Sequence, residues 1–443
     1  MVMTRWTVVL DDDPTGTQGL SDVPVVVDPT YAAFEWALRQ SHTTYVLTNT
    51  RALDSAATRS LLRQIVGLAV EVAQDAGRTL RFVSRGDSTL RGHFPLEVST
   101  VLDADPDYRP VGCLLVPAFP DAGRVTLDGV HMVRVDGKLI PVAESEYARD
   151  ATFGYIDSEL TTWAANRVPA EWIVSTIPSA VFDRGAADVA AILRAVAEFS
   201  VVCPSIRDDH DLAVLAQAQV LAEASGVEFV VQAGPAYPRH LAGLPVPPVV
   251  EAVLLSPHGI IAVGSHTTTT TNQLRCAKSR HDLVEVELDV TAVNDDCRRA
   301  EITRCTTDIV DALATSSVLL ATSRERVTGC DAADSLRIAS RIASALTEVT
   351  RGALKAKPGF LIAKGGITSR DAVAESLGWQ AAMVVGPLVD QTLPVWKSWR
   401  AAPDDPLCII FPGNVGSADL LVRALDRLAQ FTVHISSNKE SLT

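Results

Sequence analysis

Three consecutive carboxylates, Asp11, Asp12 and Asp13, close a short apolar run from Trp6 to Leu10 and are followed by Pro14 and Gly16. Such a run forms a buried strand, and proline and glycine mark the turn that ends it. In an open α/β sheet, ligands sit in the crevice beyond the strand C-termini. Three acids crowded there repel one another unless a cation, an arginine or a substrate hydroxyl offsets them. The alternative is a plain acidic surface turn. A second concentration follows the apolar run 80–83, where Arg85, Asp87, Ser88 and Arg91 share one loop with Thr89 and Gly92. A guanidinium pairs bidentately with a carboxylate while aspartate and serine bond hydroxyls, so this loop suits a small hydroxy acid. Arg51, after the run 45–47, adds a cation on the same side. The alternative is that Asp87 and the arginines simply pair with each other.

The third set is three glycine turns after apolar runs in the second half: Gly264-Ser265, then Gly365-Gly366-Ile367-Thr368 preceded by Lys364, then Gly413-Asn414-Val415-Gly416. Glycine lets the backbone approach a ligand closely, and free amides at a helix start stabilise phosphate. One such turn is ordinary αβ punctuation; three in one domain point to a nucleotide phosphate site. Neither G-x-x-x-x-G-K-[ST] nor G-x-G-x-x-G occurs, so a P-loop and a standard dinucleotide fold are both excluded.

The elements that must position these residues alternate. In the first half the patterning predicts strands over 8–10, 25–27, 45–47, 80–83, 113–116, 173–174, 201–203 and 229–231. A helix is predicted over 56–74, with Ser55 as cap and Gly77 as stop, and another over 185–198. Residues 125–141 break the rhythm as a strand-rich excursion turning at Asp136-Gly137. The stretches Pro117–Arg124 and Pro141–Ser145 are placed to close a pocket. Six prolines between 233 and 259 mark a stiff connector. Beyond it strands are predicted over 260–263, 284–288, 318–321, 360–363, 383–385 and 408–411, with helices near 270–279, 333–351, 369–377 and 417–430. The fold class is therefore α/β in two domains, each a mostly parallel sheet flanked by helices: 1–240, a Pro-rich linker 241–258, and 259–443.

Composition narrows the function. The 443 residues carry 39 basic and 53 acidic side chains, a net charge of −14, which argues against nucleic acid or an anionic membrane as partner. Any anionic substrate must be met by locally placed arginines and backbone amides. The seven cysteines are scattered and the nine histidines lack metal-ligand spacing, as expected of small core residues in a reducing compartment. The first residues run into a strand without a leader pattern, and no apolar run is of membrane-spanning length, so a cytoplasmic location is expected.

On these motifs the chain resembles the four-carbon acid sugar kinases, which phosphorylate threonate, erythronate and 3-oxo-tetronates with ATP. The family's ADDxTGA is matched by Asp11-Asp12-Asp13-Pro14-Thr15-Gly16-Thr17, its K-x-D-S-T-x-R-G by Arg85, Asp87, Ser88, Thr89, Arg91 and Gly92, and its PAFPxxGR by Pro117 to Arg124. Its V-x-G-S turn is matched by Val263, Gly264 and Ser265, its G-G-x-T-S turn by Gly365, Gly366, Thr368 and Ser369, and its late glycine loop by Gly413, Asn414 and Gly416. Three departures stand out. The first acidic position adds a third carboxylate. Where many members read K-S-G-N-F-G, this chain reads Phe411-Pro412-Gly413-Asn414-Val415-Gly416, and Lys364 precedes the G-G turn where other members often lack lysine.

The resemblance implies an ATP-dependent kinase acting on the terminal hydroxyl of a four-carbon sugar acid, with the active site in the interdomain cleft. Asp12 or Asp13 would accept the hydroxyl proton. Arg51, Arg85 and Arg91 would hold the substrate carboxylate, and Asp87 and Ser88 its hydroxyls. Ser265, Gly365, Gly366, Ile367, Thr368 and Gly413 would surround the ATP phosphates, with Mg²⁺ bridging phosphoryl oxygens and Lys364 either neutralising charge or lying on the surface. The sugar acid and ATP are the implied partners, without nucleic acid or membrane, and a homodimer is left open. Two rivals remain. Asp11-x-Asp13-x-Thr15 also fits the D-x-D-x-T signature of aspartyl-phosphate phosphatases, with Lys364 and Asp404-Asp405 in the further roles, though the D-S-T-L-R-G loop and the glycine turns then go unexplained. A non-catalytic small-molecule binding protein would share the two-domain plan.

Overall fold

Strands that are apolar on both faces are stable only where both faces are covered, which favours parallel sheets layered with helices. The computed structural model describes residues 5–104, 108–135, 137–323, 332–400, 402, 404–413 and 415–433. Asp136 and Asn414 therefore lie outside the described residues. The chain divides into two compact units, one comprising the chain up to Gly16 with Pro24–Pro245, the other Thr17–Val23 with the chain from Val246 on.

The first unit contains β1 (Arg5–Asp11), β2 (Val23–Val26), β3 (Thr43–Leu47), β4 (Thr79–Arg85), β5 (Gly112–Val116), β6 (Arg124–Leu127), β7 (Val130–Val135), β8 (Lys138–Pro141), β9 (Ile173–Ile177), β10 (Ser200–Pro204) and β11 (Phe229–Ala233). Eight of these pair in the order β2-β3-β1-β4-β11-β5-β10-β9, every pair parallel. Trp6 and Val8 on one face of β1 and Val9 on the other are all 0 % exposed, so the central strand is covered on both sides. Each strand predicted in the first half is present, and β6, β7 and β8 form the expected excursion as a separate antiparallel sheet. One capping expectation is corrected. Helix Ser55–Asp75 is capped by Asp54, whose Oδ1 accepts from the Ala57 amide at 2.8 Å, and Ser55 is its first helical residue.

The second unit contains β12 (Val253–Leu254), β13 (Gly259–Val263), β14 (Leu283–Leu288), β15 (Ser317–Thr322), β16 (Phe360–Lys364), β17 (Ala381–Pro387), β18 (Pro394–Ser398), β19 (Leu407–Phe411) and β20 (Thr432–Val433). Its sheet runs β14-β15-β13-β16-β19-β18-β17, parallel from β14 to β19 and antiparallel across β18 and β17. Among the elements that went unpredicted here are strand β18 and the helices Val290–Asn294 and Arg298–Ala312, with the two-residue strands β12 and β20. The proline-rich stretch is more than a connector: the Val250 amide donates to Pro387 O at 2.8 Å and β12 pairs with β20. Residues 17–23 pack with this unit too, Trp396 Nε1 donating to Thr17 Oγ1 at 3.0 Å and the Asp22 amide to Val384 O at 2.7 Å. Among the described residues, no helix is long and apolar enough to cross a membrane.

Candidate functional site

Parallel register decides which charges meet at the strand ends of the first unit. β1 ends on Asp11 and β4 on Arg85, and these two residues are register partners. The Arg85 guanidinium therefore lies beside the acidic triplet: Nη1 donates to Asp11 Oδ1 at 2.9 Å and to Asp12 Oδ1 at 2.7 Å. On the other side of β1, strand β3 leads into the 3₁₀ turn Thr50–Ala52, which presents Arg51. Its Nε lies 2.7 Å from Asp12 Oδ2, and its Nη2 donates to Asp13 Oδ2 at 2.9 Å. Two arginines thus offset three acids, which is the condition the triplet imposes. Gly16 closes this lattice, because a Cβ there would fall onto Asp11 Oδ1 and lie 2.5 Å from Oδ2 and 2.8 Å from Arg85 Cζ.

The three acids differ in their surroundings. Burial raises the Asp11 carboxyl to about 7 against the pull of Arg85, and raises Asp12 to about 6 against Arg51 and Arg85. Asp13 is also subject to desolvation, but Arg51, Arg85 and the Thr15 amide outweigh it and hold the carboxyl below its ordinary value. Exposure separates them further, the Asp12 side chain being 3 % exposed and that of Asp13 20 %. A carboxyl held at about 7 in the folded chain and near 4 when unfolded favours folding below about pH 4, and that contribution is lost as pH rises through about 7. Asp11→Asn removes this dependence. Relative to wild type, the variant is expected to gain about 2 kcal/mol of unfolding free energy between pH 5 and pH 8 in urea denaturation. An unchanged difference at the two pH values would mean that Asp11 is already ionised at pH 5.

The Asp87–Gly92 loop follows β4. Arg91 Nε donates to Asp87 Oδ2 at 2.6 Å, Thr89 Oγ1 bonds the same carboxylate, and Arg91 Nη1 lies 3.7 Å from Asp150 Oδ2. Burial opposes ionisation of Asp87, but Arg51 and Arg91 prevail and hold its carboxyl at about 2. The excursion and the chain after it brace this loop from its backbone: His131 Nε2, on β7, bonds Ser88 O at 2.8 Å and Tyr155 Oη donates to Thr89 O at 2.6 Å. Ser88 is buried, while Arg91 and Arg51 keep 21 % and 24 % of their side-chain surface. Arg85 keeps 5 %, and its Nη1 faces Asp11 and Asp12 and ties the guanidinium to the acids. A residue missed in the sequence is Gln232 on β11, which lines a small cavity with Asp87, Arg91 and Pro117. Its buried Oε1 has no partner, and its Nε2 lies 3.4 Å from Glu97 Oε2. Nothing in the alternation of β11 distinguishes this glutamine from a core position.

In the second unit, β13, β16 and β19 are adjacent and parallel, so the three glycine turns emerge side by side. A Cβ on Gly413 would lie 3.1 Å from Ser265 Oγ and 3.5 Å from Gly365 Cα. Thr267 Oγ1 and Thr270 Oγ1 both donate to Gly413 O, at 2.7 and 2.8 Å, and tie the first turn to the third. Thr368 Oγ1 fills the space beside Gly264 and Gly365, within 2.5 and 3.4 Å of their would-be Cβ atoms. Gly365 has φ +117°, which a side chain would not tolerate, and Gly366 opens helix Gly366–Asp371. Beside these turns lies a cavity of about 510 Å³, lined by Gly264, His266, Thr267, Ile367 and Thr368 with an apolar wall of Ile342 and Leu346. The sequence singled out Ser265, Gly365, Gly366, Ile367, Thr368 and Gly413 separately, and the fold gathers them at the ends of three neighbouring strands. Of the two alternatives for Lys364, the surface position is overturned. The residue is 0 % exposed, neither on the surface nor free to face a ligand directly.

The phosphatase roles fare poorly in this geometry. Asp11 is 1 % exposed and bonded to Arg85, where a nucleophile must reach phosphorus, and Asp404 pairs with Lys357 at 2.8 Å. Among the described residues no group of three His, Cys, Asp or Glu is arranged to hold a metal ion.

Comparison with known proteins finds two family models along the chain. The sugar-binding N-terminal domain model matches residues 7–241, and the nucleotide-binding C-terminal domain model matches residues 260–421. A D-erythronate kinase of Heliobacterium modesticaldum is 29% identical over 366 residues, covering 78% of this chain and 79% of the relative. A 3-oxo-tetronate kinase of Methylobacterium radiotolerans is 28% identical over 353 residues, covering 77% and 79%. A solved structure from Salmonella typhimurium LT2 has the same fold, with a TM-score of 0.71 at 16% identity over 95% of this chain and 99% of that one. With both domain models matched in order across the acid-arginine lattice and the three glycine turns, the chain belongs to the four-carbon acid sugar kinase family.

Proposed function

We propose that the protein transfers the γ-phosphoryl group of ATP to the terminal hydroxyl of a four-carbon sugar acid: threonate, erythronate or a 3-oxo-tetronate. The observation that carries this reading is the side-by-side arrangement of Ser265, Gly365 and Gly413, where glycines let the backbone approach a phosphate closely, in a chain whose other unit presents carboxylates and arginines at its strand ends. Phosphoryl transfer asks the protein mainly for positioning and charge neutralisation. In this reading Arg51 and Arg91, the more exposed guanidiniums, take the substrate carboxylate, while Asp87 and Ser88 orient its hydroxyls. Arg85 holds Asp11 and Asp12 in place, and Asp13 accepts the proton of the attacking hydroxyl as its oxygen bonds to phosphorus and ADP departs. Magnesium enters with the nucleotide, held by the phosphates as part of that substrate. The reaction requires the two sites to meet during turnover.

The test is ADP formation from Mg-ATP with a panel of D- and L-threonate, D- and L-erythronate and their 3-oxo forms, with mass spectrometry of the product. A mono-phosphorylated acid and stoichiometric ADP with at least one member are the expected result. No ADP above background with any member would overturn the reading.

A further inference from the structure

Lys364 is the last residue of β16, and its register partners are Val263 on β13 and Phe411 on β19. Its side chain is completely buried; Nζ donates to Pro412 O at 2.9 Å and sits 4.0 Å from the centroid of the Phe411 ring. Lysine is almost never fully buried without an ionic partner, and an ammonium carries three donors. The charged and titratable groups on the surrounding elements are accounted for otherwise. His266, in the turn after β13, bonds Thr322 Oγ1 at 3.1 Å, and Arg370 and Asp371 of helix Gly366–Asp371 pair with each other at 2.9 Å. Burial alone lowers the Lys364 amine, to about 7, with no carboxylate among the described residues drawing it back up.

What Lys364 does touch is the base of two glycine turns. The Gly365 amide donates to Phe411 O at 2.8 Å, and Pro412, whose carbonyl Lys364 holds, immediately precedes Gly413. Phe411 also occupies the place where the K-S-G-N-F-G motif has its lysine, so a cation stands here on the neighbouring strand instead. A buried amine with no ionic partner among the described residues, set at the base of two glycine turns, is matched by an anion arriving from outside. We infer that Lys364 is the built-in counter-charge for the nucleotide's phosphates: it takes up a proton when they settle on the Gly365 and Gly413 turns, and through Pro412 O it fixes the position of the glycine loop. This rests on the phosphate reading of those turns.

The experiment is calorimetric binding of Mg-ADP at pH 8, where the nucleotide phosphates are already ionised, in two buffers of different ionisation enthalpy. Wild type is expected to take up more than about half a proton per nucleotide bound. Lys364→Met, similar in length and suited to a buried site, is expected to take up none and to bind about tenfold or more weakly, with the KM for the acid unchanged. Wild-type binding with no dependence on buffer overturns the inference, and this readout stands even if the variant fails to fold. Equal nucleotide affinity in a folded Lys364→Met variant also overturns it. Absence of Mg-ADP binding to wild type instead removes the phosphate reading itself, which separates the two failures.

Discussion

Asp13→Asn is expected to lower kcat by about 10² to 10⁴, the usual scale for removing a positioned general base, while the KM for ATP stays within about twofold. The choice of Asp13 over Asp12 follows from access. Both oxygens of Asp12 face guanidiniums, Oδ1 at 2.7 Å from Arg85 and Oδ2 at 2.7 Å from Arg51, and the side chain is 3 % exposed. Asp13 is 20 % exposed, and its orientation is set by the Thr15 amide, which donates to Oδ1 at 2.9 Å, and by Arg51 on Oδ2. Because Arg51 and Arg85 overcome burial and hold its carboxyl below the ordinary range, Asp13 is ionised at any pH where the enzyme is assayed. A low-pKa base is a weak one, yet a loose phosphoryl-transfer transition state needs the proton removed late, so position matters more than basicity. Asp12→Asn has a different expected signature: it deprives Arg51 and Arg85 of a partner and should raise the KM for the acid together with lowering stability. Turnover by Asp13→Asn within tenfold of wild type would show that another group accepts the proton.

Gly16→Ala is expected to cost about 3–5 kcal/mol, the scale of breaking a buried ion pair, and to abolish most activity at assay temperature. The added methyl has nowhere to go. It would lie on Asp11 Oδ1, 2.5 Å from Oδ2 and 2.8 Å from Arg85 Cζ, and these are side chains fixed by burial rather than flexible ends. Either the Asp11–Arg85 pair separates, leaving the Asp11 carboxyl buried without its arginine, or the turn after β1 opens and misplaces Asp12 and Asp13. A control in the same unit is Gly67→Ala. Gly67 lies within helix Ser55–Asp75, and no atom lies within 4 Å of a Cβ there, so the change should stabilise by about 0.5–1 kcal/mol. Urea denaturation of both variants checks the contrast. Equal stabilities for the two would mean that the lattice around Gly16 has room the geometry denies.

Strand identity was written locally. β1, β3, β4, β5, β10 and β11 are largely apolar and β-branched runs bounded by turn residues, with single polar residues such as Arg81 and Gln232 inside them. Motif position was legible for the same reason, since acids, arginines and glycines at the ends of such runs must fall along the carboxyl edge of a parallel sheet. Some elements that escaped have no clean period. Helix Asp209–Glu223 buries Asp211, Leu212, Val214, Leu215, Ala216, Ala218, Gln219 and Ala222, a spread too wide to show one face. Helix Arg298–Ala312 buries only Glu301, Cys305 and Ile309, a stripe too narrow and too polar to stand out. β18 opens with a proline and pairs antiparallel, outside the alternation that announces the others.

What no local pattern holds is partnership. That Arg85 meets Asp11 depends on the register of β4 against β1, and that Arg51 meets Asp12 and Asp13 depends on β3 lying on the other side. The three glycine turns become neighbours only because β16 inserts between β13 and β19, although far more than a hundred residues separate Ser265 from Gly413. Lys364 read in sequence as a cation beside a phosphate turn or at the surface; its place as the last residue of a central strand, flanked by Val263 and Phe411, buries it instead. The residue types that do chemistry, and the strand ends that carry them, were thus determined by the sequence through local hydrophobic patterning. Which charge offsets which was decided by strand order and register, properties of long-range pairing that no window of the sequence contains.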